Sequence, residues 1–207
     1  IEFLAEYTDV EELHIIGFSN GTRLVTRALD QLALQHGGSS DPELWKKLKI
    51  KNVFLTGSDL DRGVFSGYLS DGLLNVSRHM TVYISGFDKA LGMSQFVTQR
   101  QRLGQSWSGK GGEMHAMVRQ AVKNYRDKLT FVDVSDAEGA QSGKGHAYFL
   151  SSPLVSSDML MTLQYDLTAE ERGLSPGEYL PVYSFPEDYI ERLWDTLKIR
   201  NPDLYQQ

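Results

Sequence analysis

Apolar positions along the chain follow two rhythms that take turns. Glu12-Leu13-His14-Ile15-Ile16-Gly17-Phe18 is a short, nearly continuous apolar run, which predicts a strand buried on both faces. From Thr22 onward Leu24, Val25, Ala28, Leu29, Leu32 and Leu34 recur near the helical period, and Gly37-Gly38 ends the run as a helix stop. Lys51 to Thr56 predicts a second strand, entered through the short amphipathic segment Pro42 to Leu48 and followed by a helix over Val64 to Leu74. Met80 to Ser85 alternates and is rich in β-branched and aromatic residues, so a third strand is expected there. Lys89 to Phe96 has helical character, Gly104 to Gly112 is a Gly/Ser-rich loop, and 113–126 is expected to be helical. Leu129 to Val134 predicts a fourth strand. Beyond it come a loop around Gly139 to Gly145, a helix over Pro153 to Leu167, a Pro/Gly-punctuated stretch to Pro186, and a final amphipathic helix over Glu187 to Leu197.

Strands alternating with helices imply an α/β domain with a parallel sheet and right-handed crossovers. Composition agrees with an ordinary globular chain: 207 residues, 41% hydrophobic and 23% charged, with no internal repeat and no linker-like segment. The balance of 21 Lys+Arg against 27 Asp+Glu, a net charge of -6, argues against a nucleic-acid partner, which calls for clustered cations. No apolar run approaches the length of a membrane-spanning helix. The absence of cysteine removes disulfides, thiolate nucleophiles and Cys-based zinc sites.

In parallel sheets chemistry collects beyond the carboxyl ends of the strands, so the loops that follow them are the places to look. Gly17-Phe18-Ser19-Asn20-Gly21 is a G-x-S-x-G run lying between a strand and a helix. In a nucleophile elbow the serine sits in a strained turn, and small residues two positions to either side relieve the crowding. The helix behind Ser19 adds its positive end, and the backbone N–H of Asn20 is the candidate oxyanion donor. The competing reading is a glycine-rich turn whose serine caps the helix. A serine nucleophile needs a base and the base an orienting acid. Asp88 follows the third strand, and His146 follows the fourth in a Gly-flanked loop. His14, His36, His79 and His115 fall inside strands or helices or at their ends. Asp88 has its own ordinary reading as the N-cap of the next helix. The chain order Ser, Asp, His is that of the α/β-hydrolase triad.

These residues resemble the α/β-hydrolase superfamily and, within it, the bacterial alpha/beta hydrolases of unknown function, Duf900-like, over nearly the whole chain. The likeness is carried by Leu13 to Arg23, Ser58 to Phe65, Val82 to Leu91 with Arg102-Leu103-Gly104, and Gly145 to Phe149 ahead of Asp158. Arg172-Gly173-Leu174 and Phe185 to Tyr189 carry the rest. Phe18 and Asn20 flank the serine where such members usually show His before it and Met or another residue after. The resemblance implies an α/β-hydrolase fold over residues 1–207 and serine-hydrolase activity on small-molecule or lipid carboxylic esters. Ser19 would be nucleophile, His146 base and Asp88 acid, with no metal or organic cofactor. Only about twelve residues precede the first strand, too few for another βα unit. The chain is therefore expected to lack the first strands of such a sheet, and an exposed edge would open a route to self-association. A second reading keeps the scaffold as an inactive binding module.

Two further motifs compete for attention. Asp59-x-Asp61 is an alternative source of the triad acid or a weak metal site, but fits better as a helix cap that holds Arg62. Gly104-Gln-Ser-Trp-Ser-Gly-Lys-Gly111 comes within one residue of a phosphate-binding loop, yet Gly111 stands where the Mg²⁺-holding Ser/Thr is needed. It fits better as a lid or a substrate-facing loop, with an ordinary surface loop the leading alternative. Tyr125, Tyr148, Phe149 and Trp194 are assigned to the core or its edge.

Overall fold

Leu13–Phe18 forms β1, Ile50–Thr56 β2, His79–Ile84 β3 and Leu129–Asp133 β4; two short strands, β5 (Ser175–Pro176) and β6 (Val182–Ser184), complete one sheet. The strand order is β1-β2-β3-β4-β6-β5, and every neighbouring pair is parallel except β5 with β6. The computed structural model describes residues 1–37, 40–105, 120, 123–125, 127–142, 145–177 and 182–205. Helices among them are α1 (Glu2–Tyr7), α2 (Gly21–Gln35), α3 (Leu44–Leu48), α4 (Arg62–Ser70), α5 (Lys89–Thr98), α6 (Tyr148–Ser151), α7 (Pro153–Tyr165) and α8 (Tyr189–Arg200).

Alternation along the strands divides the core in two. Val53 and Leu55 of β2, Val82 and Ile84 of β3, and Phe131 of β4 face one side, where Leu29 and Ala33 of α2, Leu48 of α3 and Phe65 of α4 meet them. Phe54, Tyr83 and Val132 face the other, against Tyr148 of α6, Val155 and Met159 of α7, and Tyr189 and Leu193 of α8. Both faces of the central strands are therefore dry, as a parallel sheet requires. β1 stands at one end of the sheet. It is not buried on both faces as expected, because only β2 flanks it: Leu13 and Ile15 pack on the first core, while Ile16 on the opposite face is 48% exposed. No helix among the described residues is long and apolar enough to cross a membrane.

The second core holds a buried ion pair. The Nε of Arg172 donates to Asp158 Oδ1 at 2.6 Å and the hydroxyl of Tyr83 to Asp158 Oδ2 at 2.6 Å, while Arg172 Nη1 donates to the carbonyl of Leu167. Neither charged side chain is more than 1% exposed. A carboxylate on α7 is thus tied to β3 and to the turn that precedes β5, and satisfied on both oxygens.

The sheet is larger than the four strands expected. β6 is three residues within a stretch read only as punctuated loop; its pairing of Phe131 with Val182 and Asp133 with Ser184, and the burial of Tyr183, form it through partners distant in sequence. α1 is a six-residue helix that buries no residue, and α6 is a single turn. The helix expected over Val64 to Leu74 instead runs Arg62–Ser70 and gives way at Gly72 (φ 96) to a 3-10 turn, Leu73–Asn75. The expected loop beyond Gln105, most of the expected helix over 113–126, and residues 106–111 of the phosphate-loop-like run lie outside the described residues.

Candidate active site

Only two residues separate the end of β1 from the start of α2, so the chain must reverse sharply. Ser19 absorbs the reversal with φ 53, a left-handed conformation that a residue with a Cβ adopts at a cost. Its N–H donates to the Thr56 carbonyl at 3.0 Å, continuing the β1–β2 ladder past its last strand residue. Its carbonyl accepts from the N–H of Thr22 at 3.1 Å and the hydroxyl of Thr22 at 2.6 Å, and the Ser58 hydroxyl donates to that same threonine oxygen at 3.0 Å. Gly17 is the crowded glycine of the elbow: a Cβ there would stand 3.2 Å from Thr22 Cα and 3.3 Å from Leu55 Cδ2. Gly21 differs from expectation, since a Cβ would meet nothing within 4 Å. Here the strain is confined to the strand side of the turn. Asn20, at the N-terminal cap of the 15-residue α2, has an ordinary helical φ of -63 and is exposed.

Asp88 follows β3 and caps α5. Its Oδ1 accepts from the N–H of Leu91 at 3.0 Å, leaving Oδ2 to accept from His146 Nδ1 at 2.7 Å. The two readings of this carboxylate are therefore not alternatives: one oxygen caps and the other holds the imidazole. The Asp88 side chain is fully buried, so it cannot exchange these partners for water.

His146 lies on the segment between β4 and α6, and its Nε2 stands 2.8 Å from Ser19 Oγ. A carboxylate can only accept, so Nδ1 carries the proton and Nε2 keeps the lone pair that receives the serine O–H. The ring is held by two elements. Phe18 lies against it with ring centroids 5.0 Å apart, and itself packs on Phe149, also at 5.0 Å. Gly57, just past β2, lies against the ring so closely that a Cβ there would be 2.9 Å from His146 Cε1. Ser19, Asp88 and His146 thus come from three loops at the carboxyl edge of the sheet and meet in one hydrogen-bonded chain. This arrangement can move a proton from the serine hydroxyl to an imidazole whose positive form is stabilised by a buried carboxylate.

The neighbouring acidic residues have other partners. Asp61 caps α4 by accepting from the N–H groups of Gly63 and Val64. Asp59 pairs with Arg23 at 2.7 Å and Arg102 at 3.3 Å and accepts from the Ser94 hydroxyl. Arg62 is not held by these aspartates as expected, but by the carbonyls of Arg102 and Gln105 and the side chain of Gln101. Among the described residues no three His, Asp or Glu side chains gather to hold a metal ion. The remaining described histidines are engaged elsewhere: His14 with Asn52, His36 with Glu2 and Lys47, and His79 with Asp127 and Thr130. His115 lies outside the described residues.

Sequence reasoning passed over two contributors. Gly57 carried no motif, although a glycine directly after a central parallel strand is a signal for close backbone approach. Tyr148, counted as core, is two residues past His146, and its hydroxyl accepts from the N–H of Gly57 at 2.6 Å.

The family described as an alpha/beta hydrolase of unknown function (DUF900) matches residues 1–163, a stretch that includes Ser19, Asp88 and His146. No curated protein and no solved structure matches the chain.

Proposed function

The chain belongs to the alpha/beta hydrolases of unknown function (DUF900), and from that premise we propose that it is a serine hydrolase that cleaves carboxylic esters through an acyl-enzyme. The observation that carries this reading is the pair of contacts from one imidazole, 2.8 Å to Ser19 Oγ and 2.7 Å to Asp88 Oδ2.

In this reaction His146 Nε2 takes the hydroxyl proton as Ser19 Oγ attacks the ester carbonyl. The carbonyl oxygen becomes an oxyanion, received by the N–H of Asn20 at the positive end of α2. Collapse of the tetrahedral intermediate breaks the carbon–oxygen bond, and the proton on Nε2 passes to the departing alkoxide. Water then attacks the acyl-enzyme with His146 again as base, which releases the acid and restores Ser19. Asp88 fixes the Nδ1–H tautomer and offsets the imidazolium charge.

Pre-steady-state hydrolysis of p-nitrophenyl butyrate tests the reaction. A burst of nitrophenolate close to one per protein, lost in Ser19→Ala and in His146→Ala, is the expected result. Hydrolysis that persists unchanged in Ser19→Ala would overturn the assignment.

A further inference from the structure

We propose that Tyr148 is a positioning residue of this site: its buried hydroxyl fixes the Gly57 peptide on which the imidazole of His146 rests. The proposal builds on the serine-hydrolase reading above and adds to it a group that never meets the substrate.

The pairing of β2 with β3 runs from Asn52 with His79 to Leu55 with Val82 and stops there, although β2 continues beside β1 as far as Thr56. Past that point the two strands part. The backbone of Gly57 and the carbonyl of Tyr83 face each other across the gap without a direct ladder bond. Tyr148 fills it: its oxygen accepts from the N–H of Gly57 at 2.6 Å, and its proton goes to the Tyr83 carbonyl at 2.9 Å. The side chain is wholly buried on α6. Burial pushes the phenol above its usual range, so it stays protonated and able to donate.

Gly57 is the link between that hydroxyl and the chemistry. It has φ 52, and its Cα is so close to the imidazole that a Cβ would stand 2.9 Å from Cε1, 3.1 Å from Nδ1 and 3.2 Å from the His146 carbonyl oxygen. Phe18 also packs against the ring, with centroids 5.0 Å apart, so the Gly57 backbone and Phe18 both constrain the imidazole. Tyr148 therefore acts twice on His146, through the covalent chain two residues away and through the surface under the ring. Removing the hydroxyl leaves one buried donor and one buried acceptor unpaired, and both can regain partners only if the Gly57 peptide moves. A shift of that surface changes the angle between Nε2 and Ser19 Oγ but no contact with substrate. Misplacement of this kind slows chemistry without weakening binding.

The test compares Tyr148→Phe with Tyr189→Phe, which removes another buried hydroxyl, bonded to Ser157 at 3.3 Å, from a part of the second core with no contact to the triad. Two readouts are needed: kcat and KM for p-nitrophenyl butyrate, and the ring ¹⁵N chemical shifts of His146 at neutral imidazole, which report the tautomer whether or not the protein turns over. For Tyr148→Phe we expect kcat to fall at least about tenfold with KM within about twofold. The nitrogen shifts should move from a fixed Nδ1–H pattern toward averaged tautomers. Tyr189→Phe should lose stability with neither change. Tyr148→Phe matching wild type in the nitrogen shifts, or altering KM alone, would overturn the proposal. If wild type fails to turn over any ester, the hydrolase reading falls, and the nitrogen shifts still decide whether Tyr148 holds the ring.

Discussion

Ser19 is held at φ 53 by the two-residue turn, so its conformation and its hydroxyl make separable contributions. Replacing it by alanine removes the hydroxyl and keeps the strain; replacing it by glycine removes both. Ser19→Gly should therefore be more stable than Ser19→Ala by about 1 kcal/mol in urea unfolding, while both lack activity. Equal midpoints for the two would show that the turn is not strained. Asp88 offers a sharper separation. Its two oxygens serve different partners, and an asparagine can accept only through its single oxygen. If that oxygen stays on the Leu91 N–H, the amide nitrogen faces His146 Nδ1 and drives the imidazole into the wrong tautomer. Asp88→Asn is expected to lower kcat by about 10³-fold or more with a small change in Tm, whereas Asp88→Ala also loses the cap of α5. A drop in Tm for Asp88→Asn as large as for Asp88→Ala would contradict this division.

At the scale of elements, the strand-turn-helix unit of β1 and α2 depends on one glycine and not on the other. Gly17→Ala forces its Cβ onto Thr22 and Leu55, both firmly placed, and should destabilise by about 1–2 kcal/mol. Gly21→Ala occupies open space at the first position of a helix and should raise stability by up to about 1 kcal/mol. Thermal unfolding of the two variants checks both signs. The same unit shows what a sequence exposes to reading. β2 to β4 each carry a concentrated apolar signal because these strands are buried on both faces; β1 carries one as well although its Ile16 face is open, and the structure places all four within a residue or two of the reading. β6 carries no such signal. Three residues among Pro and Gly become a strand only because β4 offers a partner. The helix break at Gly72 was likewise hidden, since Leu73 and Leu74 continue the apolar rhythm while the backbone there has already turned.

Across the whole molecule, the two ends of the sheet serve different purposes. Ser19, Asp88 and His146 stand at the carboxyl ends of the strands, while His79 opens β3 at the opposite end. Its Nδ1–H donates to the Asp127 carbonyl and its Nε2 accepts from the Thr130 hydroxyl. Burial lowers its pKa from 6.5 to about 4, helped by the charge of Arg172. Between those values the unfolded chain binds a proton at this residue that the folded chain refuses, so stability rises with pH across the window and is lost as pH falls through it. The stability difference between wild type and His79→Gln should shrink by about 2 kcal/mol on going from pH 7 to pH 4, measured by urea unfolding. A difference that stays constant with pH would contradict the assignment. The candidate site was legible from the sequence where it follows topology: loops after successive parallel strands must come together, and Ser19, Asp88 and His146 are residues of three such loops. The support beneath them was not legible, because Gly57 and Tyr148 are 91 residues apart and ordinary in type. Labelling with a fluorophosphonate probe followed by peptide mass spectrometry asks whether His146 activates Ser19. One phosphonyl adduct is expected on the peptide that carries Ser19, abolished in His146→Ala with the fold intact; an unlabelled Ser19 in folded wild-type protein, or labelling that survives in His146→Ala, would rule that activation out.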